Sequence, residues 1–293
     1  MLVERRAAAR SARDFGESDR LREQVAAAGW LVRDTPEGQV LAEKPAYDVL
    51  ASARDLPDRS AGPDTRRATV SLLVEGWPED VRTCVDALMT YAPEDVVVVL
   101  LDNASSAADV VHELAAAHPG RVEELHLDRA AGWAEARQAL VSADVAAVHV
   151  LMDVSTVLEG DALTPLLTAL EDPAVTGAGW RGVAVDDGWT SFSDSPPGEV
   201  EALLGYLFAV RRSAALRVPM PPQARFYRNA DMEWSFLLRE DGGHLVALDL
   251  PVRQDRHRGY HDSDPALRDR ESRKTYDHFL RRFRGREDLR LPR

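Results

Sequence analysis

The stretch Val145-Ala146-Ala147-Val148-His149-Val150-Leu151-Met152-Asp153-Val154-Ser155-Thr156 decides the fold of this chain. It begins as a short apolar run rich in valine and ends at a carboxylate that two hydroxyl residues follow closely. A run with so little polar alternation is typical of a strand covered on both faces, as in the middle of a parallel sheet. Ligands of such sheets lie outside the carboxyl ends of the strands, so Asp153 is placed where a ligand would be. Asp also starts turns and caps helices, and position alone leaves both roles open.

Strands and helices alternate on either side of this stretch. Apolar strands are predicted at residues 69–74, 96–101, 122–127 and 145–152, each followed by a segment with helical spacing of apolar residues. Such alternation gives an α/β fold with a mostly parallel sheet flanked by helices. In the less regular second half we expect a helix capped by Asn229, a surface loop at 186–199, and strands at 175–180, 203–210 and 245–250.

The first 65 residues differ in pattern and predict a small appendage. Ser18 is placed to cap a helix that ends at Gly29, and two short apolar runs flank Thr35-Pro36-Glu37-Gly38 as in a hairpin. Residues 57–64 contain Pro and Gly and predict a linker. The predicted domains are therefore 1–65, a helix-hairpin appendage with its linker, and 66–293, which ends in a basic amphipathic helix.

The composition and charge of the chain argue against several classes of protein. The net charge of -13 argues against a nucleic-acid binder, because phosphate contacts need a surplus of Lys and Arg. Residues 268–293 reverse this trend with ten Lys and Arg against five Asp and Glu, which suits docking on the acidic body or peripheral contact with an anionic membrane. The single cysteine, Cys84, excludes a disulfide framework and a thiolate zinc site. No apolar run is long enough for a transmembrane segment and the first residues do not form a signal peptide, so we expect a soluble, cytoplasmic protein.

Four carboxylates follow predicted strands or begin a helix: Glu75, Asp102, Asp153 and Asp231. In a parallel sheet the first three share the carboxyl edge and can converge on one crevice. Acidic groups there can hold a hard divalent cation that bridges a diphosphate, or accept hydrogen bonds from a nucleotide. The alternative is that Asp102 and Asp153 only form the turns at which their strands end.

Several motifs follow one another in an order that resembles a known family. They are the strand ending in Asp102-Asn103-Ala104-Ser105, the run 132–138 (Gly-Trp-Ala-Glu-Ala-Arg-Gln), the run 152–156 (Met-Asp-Val-Ser-Thr), the segments 205–212 and 226–234, and His257. Over about residues 67–260 this order resembles the family 2 glycosyltransferases. The resemblance implies a GT-A fold, a nucleotide-sugar donor and, in most members, a divalent metal.

The resemblance also implies roles for single residues. Glu75, Asp102 and Arg137 would line the nucleotide pocket, while Asp153 and His257 would lie at the metal and the diphosphate. Asp231 would match the catalytic base, and a carboxylate suits this role because glycosyl transfer needs a base for the acceptor hydroxyl. The alternatives are that Asp231 only adds charge near a helix N-terminus and that His257 is a surface residue.

One departure from the family concerns the metal site. The family motif has the form Asp-x-Asp, and here it reads Asp153-Val154-Ser155, whose hydroxyl brings no charge to a metal. Asp153 with His257 would then hold Mn²⁺ or Mg²⁺, or catalysis would run without metal with Arg211 or Arg212 beside the leaving group. Arg211 is accordingly expected at the nucleotide sugar. The third alternative is a degenerate enzyme.

A second resemblance covers about residues 10–45. The stretch from Asp14 through Arg22, with Gly29-Trp30 and the turn 34–38, resembles the C-terminal appendage of bacterial cysteinyl-tRNA synthetases. About forty residues are too few to carry an activity, so we interpret this segment as a packing or docking module. A tRNA-associated role is disfavoured by the acidic charge.

Taken together, the sequence predicts a soluble inverting glycosyltransferase of the hexosyl or deoxyhexosyl class, with Asp231 as base. Its partners would be a nucleotide-sugar donor and a glycan, lipid-linked or small-molecule acceptor. The alternative is a GT-A-like protein that binds a nucleotide or sugar, or acts as a scaffold, without catalysis; Ser155 favours this alternative and Asp231 disfavours it.

Overall fold

A computed structural model of the chain describes residues 1–35 and 38–292. Their contacts divide the chain into two compact units, Met1–Asp48 and Val49–Arg293. Pro36 and Glu37, at the tip of the predicted hairpin, lie outside the described residues. Within the described ranges, no helix combines the length and apolar character needed to cross a membrane.

The first unit is a pair of helices followed by a hairpin. Its elements are α1 (Leu2–Ser11), α2 (Phe15–Ala27), β1 (Trp30–Thr35) and β2 (Gly38–Glu43), and the two strands pair antiparallel as predicted. The N-cap of α2 is Asp14, whose Oδ1 accepts the Glu17 N–H at 3.1 Å. The expectation that Ser18 caps this helix is wrong, because the helix begins one turn earlier and buries Ser18.

The second unit carries the remaining strands and helices. Its strands are β3 (Val49–Leu50), β4 (Arg66–Val74), β5 (Val96–Asp102), β6 (Val122–Leu127), β7 (Ala146–Met152), β8 (Thr156–Leu158), β9 (Val175–Gly179), β10 (Gly182–Val185), β11 (Phe192–Ser195), β12 (Gly198–Glu199), β13 (Ala202–Leu203), β14 (Leu207–Arg211), β15 (His244–Ala247) and β16 (Val252–Gln254). Its helices are α3 (Pro78–Tyr91), α4 (Ala108–Ala117), α5 (Trp133–Ala143), α6 (Leu163–Ala169), α7 (Arg212–Arg217), α8 (Ala230–Glu240), α9 (Arg258–His261) and α10 (Pro265–Phe283).

Nine of these strands form the central sheet, in the order β12-β15-β9-β14-β7-β4-β5-β6-β3. Strands β7, β4, β5, β6 and β3 run parallel to one another, whereas β14 runs antiparallel between β7 and β9. Apolar side chains fill both faces of the sheet, which explains the nearly uninterrupted apolar runs of β5 and β7. The predicted α/β fold with a mostly parallel sheet is confirmed.

Strand β14 begins at the edge of the sheet where β7 ends. Its first residue, Leu207, lies opposite Met152, the last residue of β7. The segment 204–206 therefore enters the sheet beside the point where Asp153 leaves it. The predicted strand 203–210 is in fact divided into β13 and β14, with this segment between them.

The predicted surface loop 186–199 contains two short strands, β11 and β12. Strand β12 lies at the outer edge of the central sheet, and β11 at the edge of a three-stranded sheet with β10 and β13. An edge strand is exposed to solvent along one side and tolerates polar residues. This explains why the sequence of β11 and β12 has the composition of a loop.

The C-terminal helix α10 packs on the domain through an aromatic cluster. Phe279 and Phe283 are fully buried, and each ring lies 5.4 Å from the Phe236 ring on α8. The apolar stripe of this basic helix is therefore buried on its own domain, as the sequence favoured.

Residues 57–64, predicted as a linker, belong to the second unit. The Arg59 N–H donates to Ser142 O at 2.8 Å, and the Arg212 guanidinium bonds both Arg59 O and the Asp64 carboxylate. The stretch is irregular in structure but is held against α5 and α7.

Candidate active site

Asp153 lies at the carboxyl end of β7, the central parallel strand. Its Oδ1 accepts hydrogen bonds from the N–H and the hydroxyl of Ser155, and its Oδ2 lies 3.0 Å from His257 Nε2. Burial opposes the charged form, but the hydrogen bond and charge of His257, with the Ser155 bonds, lower the pKa of Asp153 to about 2. Ser155, which replaces the second Asp of the family motif, thus donates two hydrogen bonds to the Asp153 carboxylate and favours its charged form.

His257 is fixed from three sides. Its Nδ1 accepts the Tyr260 N–H at 3.1 Å, its Nε2 faces Asp153, and its ring stacks on that of Tyr227 with centroids 4.2 Å apart. Burial disfavours the imidazolium, yet the hydrogen bond and charge of Asp153 outweigh it and raise the pKa of His257 above its ordinary value. The imidazole is not a free surface residue, which removes that alternative interpretation.

Glu75 and Arg137 complete the charges around Asp153. Arg137 reaches up from α5 and is buried, with Nη1 donating to Ser71 O at 2.8 Å and Nη2 to Met152 O at 3.0 Å. Burial lowers the pKa of Arg137 to about 10, and the charges of Asp153 and Glu75 oppose this shift. Glu75 is exposed, and partial loss of its hydration raises its pKa, an effect that the charge of Arg137 opposes. Arg137 therefore supplies positive charge from beneath the sheet edge.

Asp231 is the second residue of α8 and is buried. Its Oδ2 accepts the Gly205 N–H at 2.8 Å and its Oδ1 accepts the Met232 N–H at 2.9 Å. Tyr206 O, one residue further, accepts the Asp153 N–H at 3.1 Å. Asp153 and Asp231 are therefore bonded to the same dipeptide, Gly205-Tyr206, although they are far apart in sequence. Burial raises the pKa of Asp231, and the backbone N–H groups only partly oppose it.

The start of α8 differs from the sequence expectation. Asn229 occupies the N-cap position but adopts φ 66°, and its side chain donates to Ser272 O at 3.3 Å instead of capping. The N-terminal turn of α8 is consequently anchored to α10.

Asp102 lies at the same sheet edge, one strand beyond β4, opposite Val74. It is buried, and its Oδ1 accepts hydrogen bonds from the N–H and hydroxyl of Ser105 at 3.0 and 2.7 Å. Its Oδ2 lies 3.4 Å from His126 Nδ1. Asp102 thus forms the turn at which its strand ends, which is one of the two predicted roles. It also lies at the sheet edge where the other predicted role, nucleotide binding, requires it.

The model of glycosyl transferase family 2 matches residues 74–237, more than half of the chain. The chain belongs to this family. The matched region contains Glu75, Asp102, Arg137, Asp153 and Asp231.

Solved structures similar to this family 2 chain have the GT-A fold. The crystal structure of GalNAc-T7 with UDP, GalNAc and Mn²⁺ has a TM-score of 0.61 at 16% identity, over 74% of this chain and 48% of that one. The mannosyltransferase PcManGT from Pyrobaculum calidifontis, in complex with GDP-Man and Mn²⁺, has a TM-score of 0.54 at 18% identity, over 75% and 63%. The chain thus spans less than two thirds of either neighbour, and the likeness establishes the fold.

A separate likeness covers the N-terminal unit. Residues 1–40 match the model of the cysteinyl-tRNA ligase anticodon binding domain. The segment is 52% identical over 40 residues to cysteine--tRNA ligase 1 of Burkholderia lata, and 51% identical over 39 residues to the cysteine--tRNA ligase of Frankia casuarinae. These alignments cover 14% and 13% of this chain but only 8% and 7% of the ligases. The predicted resemblance to a synthetase appendage is confirmed, and it concerns a small part of either protein.

The family 2 chain does not bring Arg211 to this site. Arg211 ends β14 opposite Val148, near the start of β7, and its guanidinium donates to Val175 O at 2.9 Å and Asp172 O at 2.7 Å. The expectation that Arg211 lies at the nucleotide sugar is corrected, because β14 is antiparallel and ends at the opposite edge of the sheet. Arg212 is equally remote, since its guanidinium holds the 59–64 segment.

Two aromatic residues of the site were not predicted. The Tyr206 backbone accepts the Asp153 N–H, and its neighbour Gly205 donates to Asp231. Burial raises the pKa of the Tyr206 phenol, and the charges of Asp231 and Asp153 raise it further, whereas a hydrogen bond with Gln254 lowers it. Tyr227 stacks on His257. Neither has a sequence signal beyond its place next to a family motif, since an isolated tyrosine is more often a packing residue.

Whether the residues fit a divalent metal can be tested on Asp153 and His257. Asp153 Oδ2 and His257 Nε2 are 3.0 Å apart, and carboxylate oxygen and imidazole nitrogen are both ligand types for such metals. Among residues 1–35 and 38–292 no group of three or more His, Cys, Asp or Glu is arranged to hold a metal. The pair fits as two protein ligands, with substrate or water left to supply the others, and His257 must first release its Nε2 proton.

Proposed function

We propose that the protein is an inverting glycosyltransferase, which moves a hexosyl or deoxyhexosyl group from a nucleotide-diphosphate sugar to an acceptor hydroxyl. The observation that carries this proposal is the attachment of Asp153 and Asp231 to the same Gly205-Tyr206 dipeptide. It joins a carboxylate suited to the diphosphate side with one suited to the acceptor side.

Asp231 has the properties of a general base. Its pKa is raised by burial, and a carboxylate with a raised pKa accepts a proton more readily from a hydroxyl that acidifies in the transition state. Its bonds to the Gly205 and Met232 N–H groups fix the orientation of the carboxylate. An inverting reaction needs one such base in a single displacement.

The donor side is formed by Asp153, His257 and Arg137, with Glu75 and Asp102 toward the nucleotide. Asp153 and His257 would hold Mn²⁺ or Mg²⁺, which would neutralise charge on the departing diphosphate. The structures of GalNAc-T7 and PcManGT, described with Mn²⁺ and UDP or GDP-Man, support this assignment by fold. Arg137, buried beneath the edge, adds a positive charge that does not need to reorganise during the reaction.

We assign the acceptor side to the region beyond Asp231, with the segments 186–199 and 219–228 setting acceptor selectivity. We expect a glycan, lipid-linked or small-molecule acceptor and no nucleic acid. The basic face of α10 allows peripheral membrane contact, and a cytoplasmic location stays a prediction that cell fractionation tests.

The test is a panel of UDP-, GDP- and dTDP-sugars, in which release of nucleoside diphosphate is followed with and without Mn²⁺. We expect one donor to be hydrolysed slowly by the wild type and not by Asp153→Ala or Asp231→Asn. Absence of turnover for every donor, with and without Mn²⁺, in a protein that a donor stabilises thermally, would overturn the proposal that the protein is an enzyme.

That outcome would favour the second candidate, a GT-A-like protein that binds a nucleotide sugar without catalysis or serves as a scaffold. The observation in its favour is Ser155, which brings no second charge to the metal position.

A further inference from the structure

Two arginines share one aromatic ring next to the active site. The guanidinium carbon of Arg228 lies 4.6 Å from the centroid of the Tyr260 ring, and that of Arg268 lies 4.8 Å from it. Tyr260 is three residues beyond His257 and donates its backbone N–H to that imidazole. Arg228 is three residues before Asp231. Arg228 and Arg268, here called the arginine pair, therefore share a ring whose residue is bonded to His257, and Arg228 also precedes the base in the chain.

The position of Arg228 is held by bonds from α10. The Thr275 hydroxyl donates to Arg228 O at 2.8 Å, and Asn229, the next residue, donates through its side chain to Ser272 O. Arg268 lies on the same helix. The face of the Tyr260 ring attracts a guanidinium group, and this attraction holds both side chains near the ring before any ligand binds.

The charge of the arginine pair is poorly balanced by nearby carboxylates. Arg228 is exposed, and within the described parts of the chain no carboxylate lies in ion-pair distance of it. Arg268 is paired at 3.1 Å with its own neighbour Asp269, whose side chain is 68% exposed. Such an exposed pair contributes little, so two positive groups remain available to an anion.

The chemistry of a guanidinium favours a phosphate as that anion. Its planar set of N–H donors matches two oxygens of a phosphate, and the match is better than for a point charge such as Lys. Arg228 and Arg268 both lie within 5 Å of the Tyr260 ring centroid, so two such sets of donors are present in one small region. The class of ligand is therefore a phosphate monoester or a diphosphate.

Two sources of phosphate are possible at this site, the donor and the acceptor. The donor diphosphate is assigned to the Asp153 and His257 side. Arg228 belongs to the chain segment that leads into Asp231, the group that would accept the proton of the acceptor hydroxyl. We propose that Arg228 and Arg268 bind a phosphate group of the acceptor, so that the acceptor is a phosphorylated molecule; this inference rests on the proposed function.

The test uses inorganic phosphate as the probe and phosphorus NMR line broadening as the readout, in the absence and presence of a saturating nucleoside diphosphate. The variants are Arg228→Gln, Arg268→Gln and the conservative Arg228→Lys. Arg273→Gln is the matched control, since Arg273 is an exposed arginine further along α10. We expect about tenfold weaker phosphate binding in each Gln variant, a smaller loss in Arg228→Lys, and none in the control.

Phosphate must also bind the wild type with the nucleoside diphosphate in place. Unchanged binding in both Gln variants, or equal loss in Arg273→Gln, would overturn the site. Displacement of phosphate by the nucleoside diphosphate would show that the arginine pair serves the donor and would overturn the assignment to the acceptor. Nucleotide-sugar hydrolysis by the wild type is measured on the same preparation, so that failure of the reaction and failure of the phosphate site are seen separately.

Discussion

Asp153 Oδ2 and His257 Nε2 lie 3.0 Å apart at the carboxyl edge of the central sheet, although 103 residues separate them in the chain. The contact pairs the carboxylate that directly follows β7 with the imidazole of the N-cap residue of α9. It defines the side of the site at which we place the donor diphosphate.

Removal of Asp153 should abolish donor binding. Asp153→Ala takes away the partner of His257 and one of two expected metal ligands, so a nucleotide sugar that stabilises the wild type in a thermal-shift assay should not stabilise the variant. Asp95→Ala is the control, because Asp95 is exposed and precedes β5 at the opposite edge of the sheet. Stabilisation that survives Asp153→Ala unchanged would contradict the donor assignment.

Asp231→Asn should separate binding from chemistry. The amide cannot take the acceptor proton, whereas the donor side is untouched, so the thermal shift by donor should persist. We expect transfer to fall by about 10²- to 10⁴-fold, the usual contribution of a general base. Transfer at more than a tenth of the wild-type rate would assign the base elsewhere.

The raised pKa of Asp231 predicts the acidic limb of the pH profile. The base is active only when ionised, so the rate should fall as the pH drops through its pKa. Because burial raises that pKa, the midpoint of kcat/KM should lie above the ordinary value of about 3.9 for Asp. A midpoint at or below that value, measured in the range where the protein stays folded, would contradict this role of Asp231.

Substitution of Arg137 and of Arg211 tests which edge of the sheet binds the donor. Each guanidinium holds backbone carbonyls, so Arg137→Met and Arg211→Met should each lower the free energy of unfolding by about 2–3 kcal/mol in urea titrations. Only Arg137→Met should also weaken donor binding, because Arg211 lies at the far edge of the sheet. Equal loss of donor binding in both folded variants would mean that the sheet edges have been assigned wrongly.

Ser155→Asp should strengthen metal binding. A second carboxylate adds charge to the site formed by Asp153 and His257, and carboxylate count is a main determinant of affinity for hard cations. We expect Mn²⁺ affinity, followed by electron paramagnetic resonance, to rise about tenfold, and His257→Ala to lower it. Mn²⁺ affinity that responds to neither substitution would remove these residues from the metal site.

The sequence predicted the residues at the sheet edge because local patterns report them. A buried apolar run such as that of β7 identifies a central parallel strand, and parallel strands end at a common edge, so Asp102 and Asp153 were expected together. The family order then added Asp231, which no local pattern could bring near Asp153.

What the sequence could not predict depends on strand direction and on tertiary contacts. Because β14 is antiparallel to β7, Arg211 lies at the sheet edge opposite to the one that carries Asp153. Nothing in the sequence 207–211 indicates the direction of this strand. Asn229 resembles a cap in sequence, but its contact with Ser272 draws the side chain away. The role of Tyr227 arises only from its stacking on a residue 30 positions later.

The most direct test of the central claim is proton NMR of the sugar that the wild-type protein releases when water replaces the acceptor. If Asp231 activates the attacking hydroxyl in a single displacement while Asp153 and His257 face the leaving group, the sugar first appears as the anomer opposite to that of the donor. Release of the same anomer as in the donor, or no release from any donor that binds, would contradict the account.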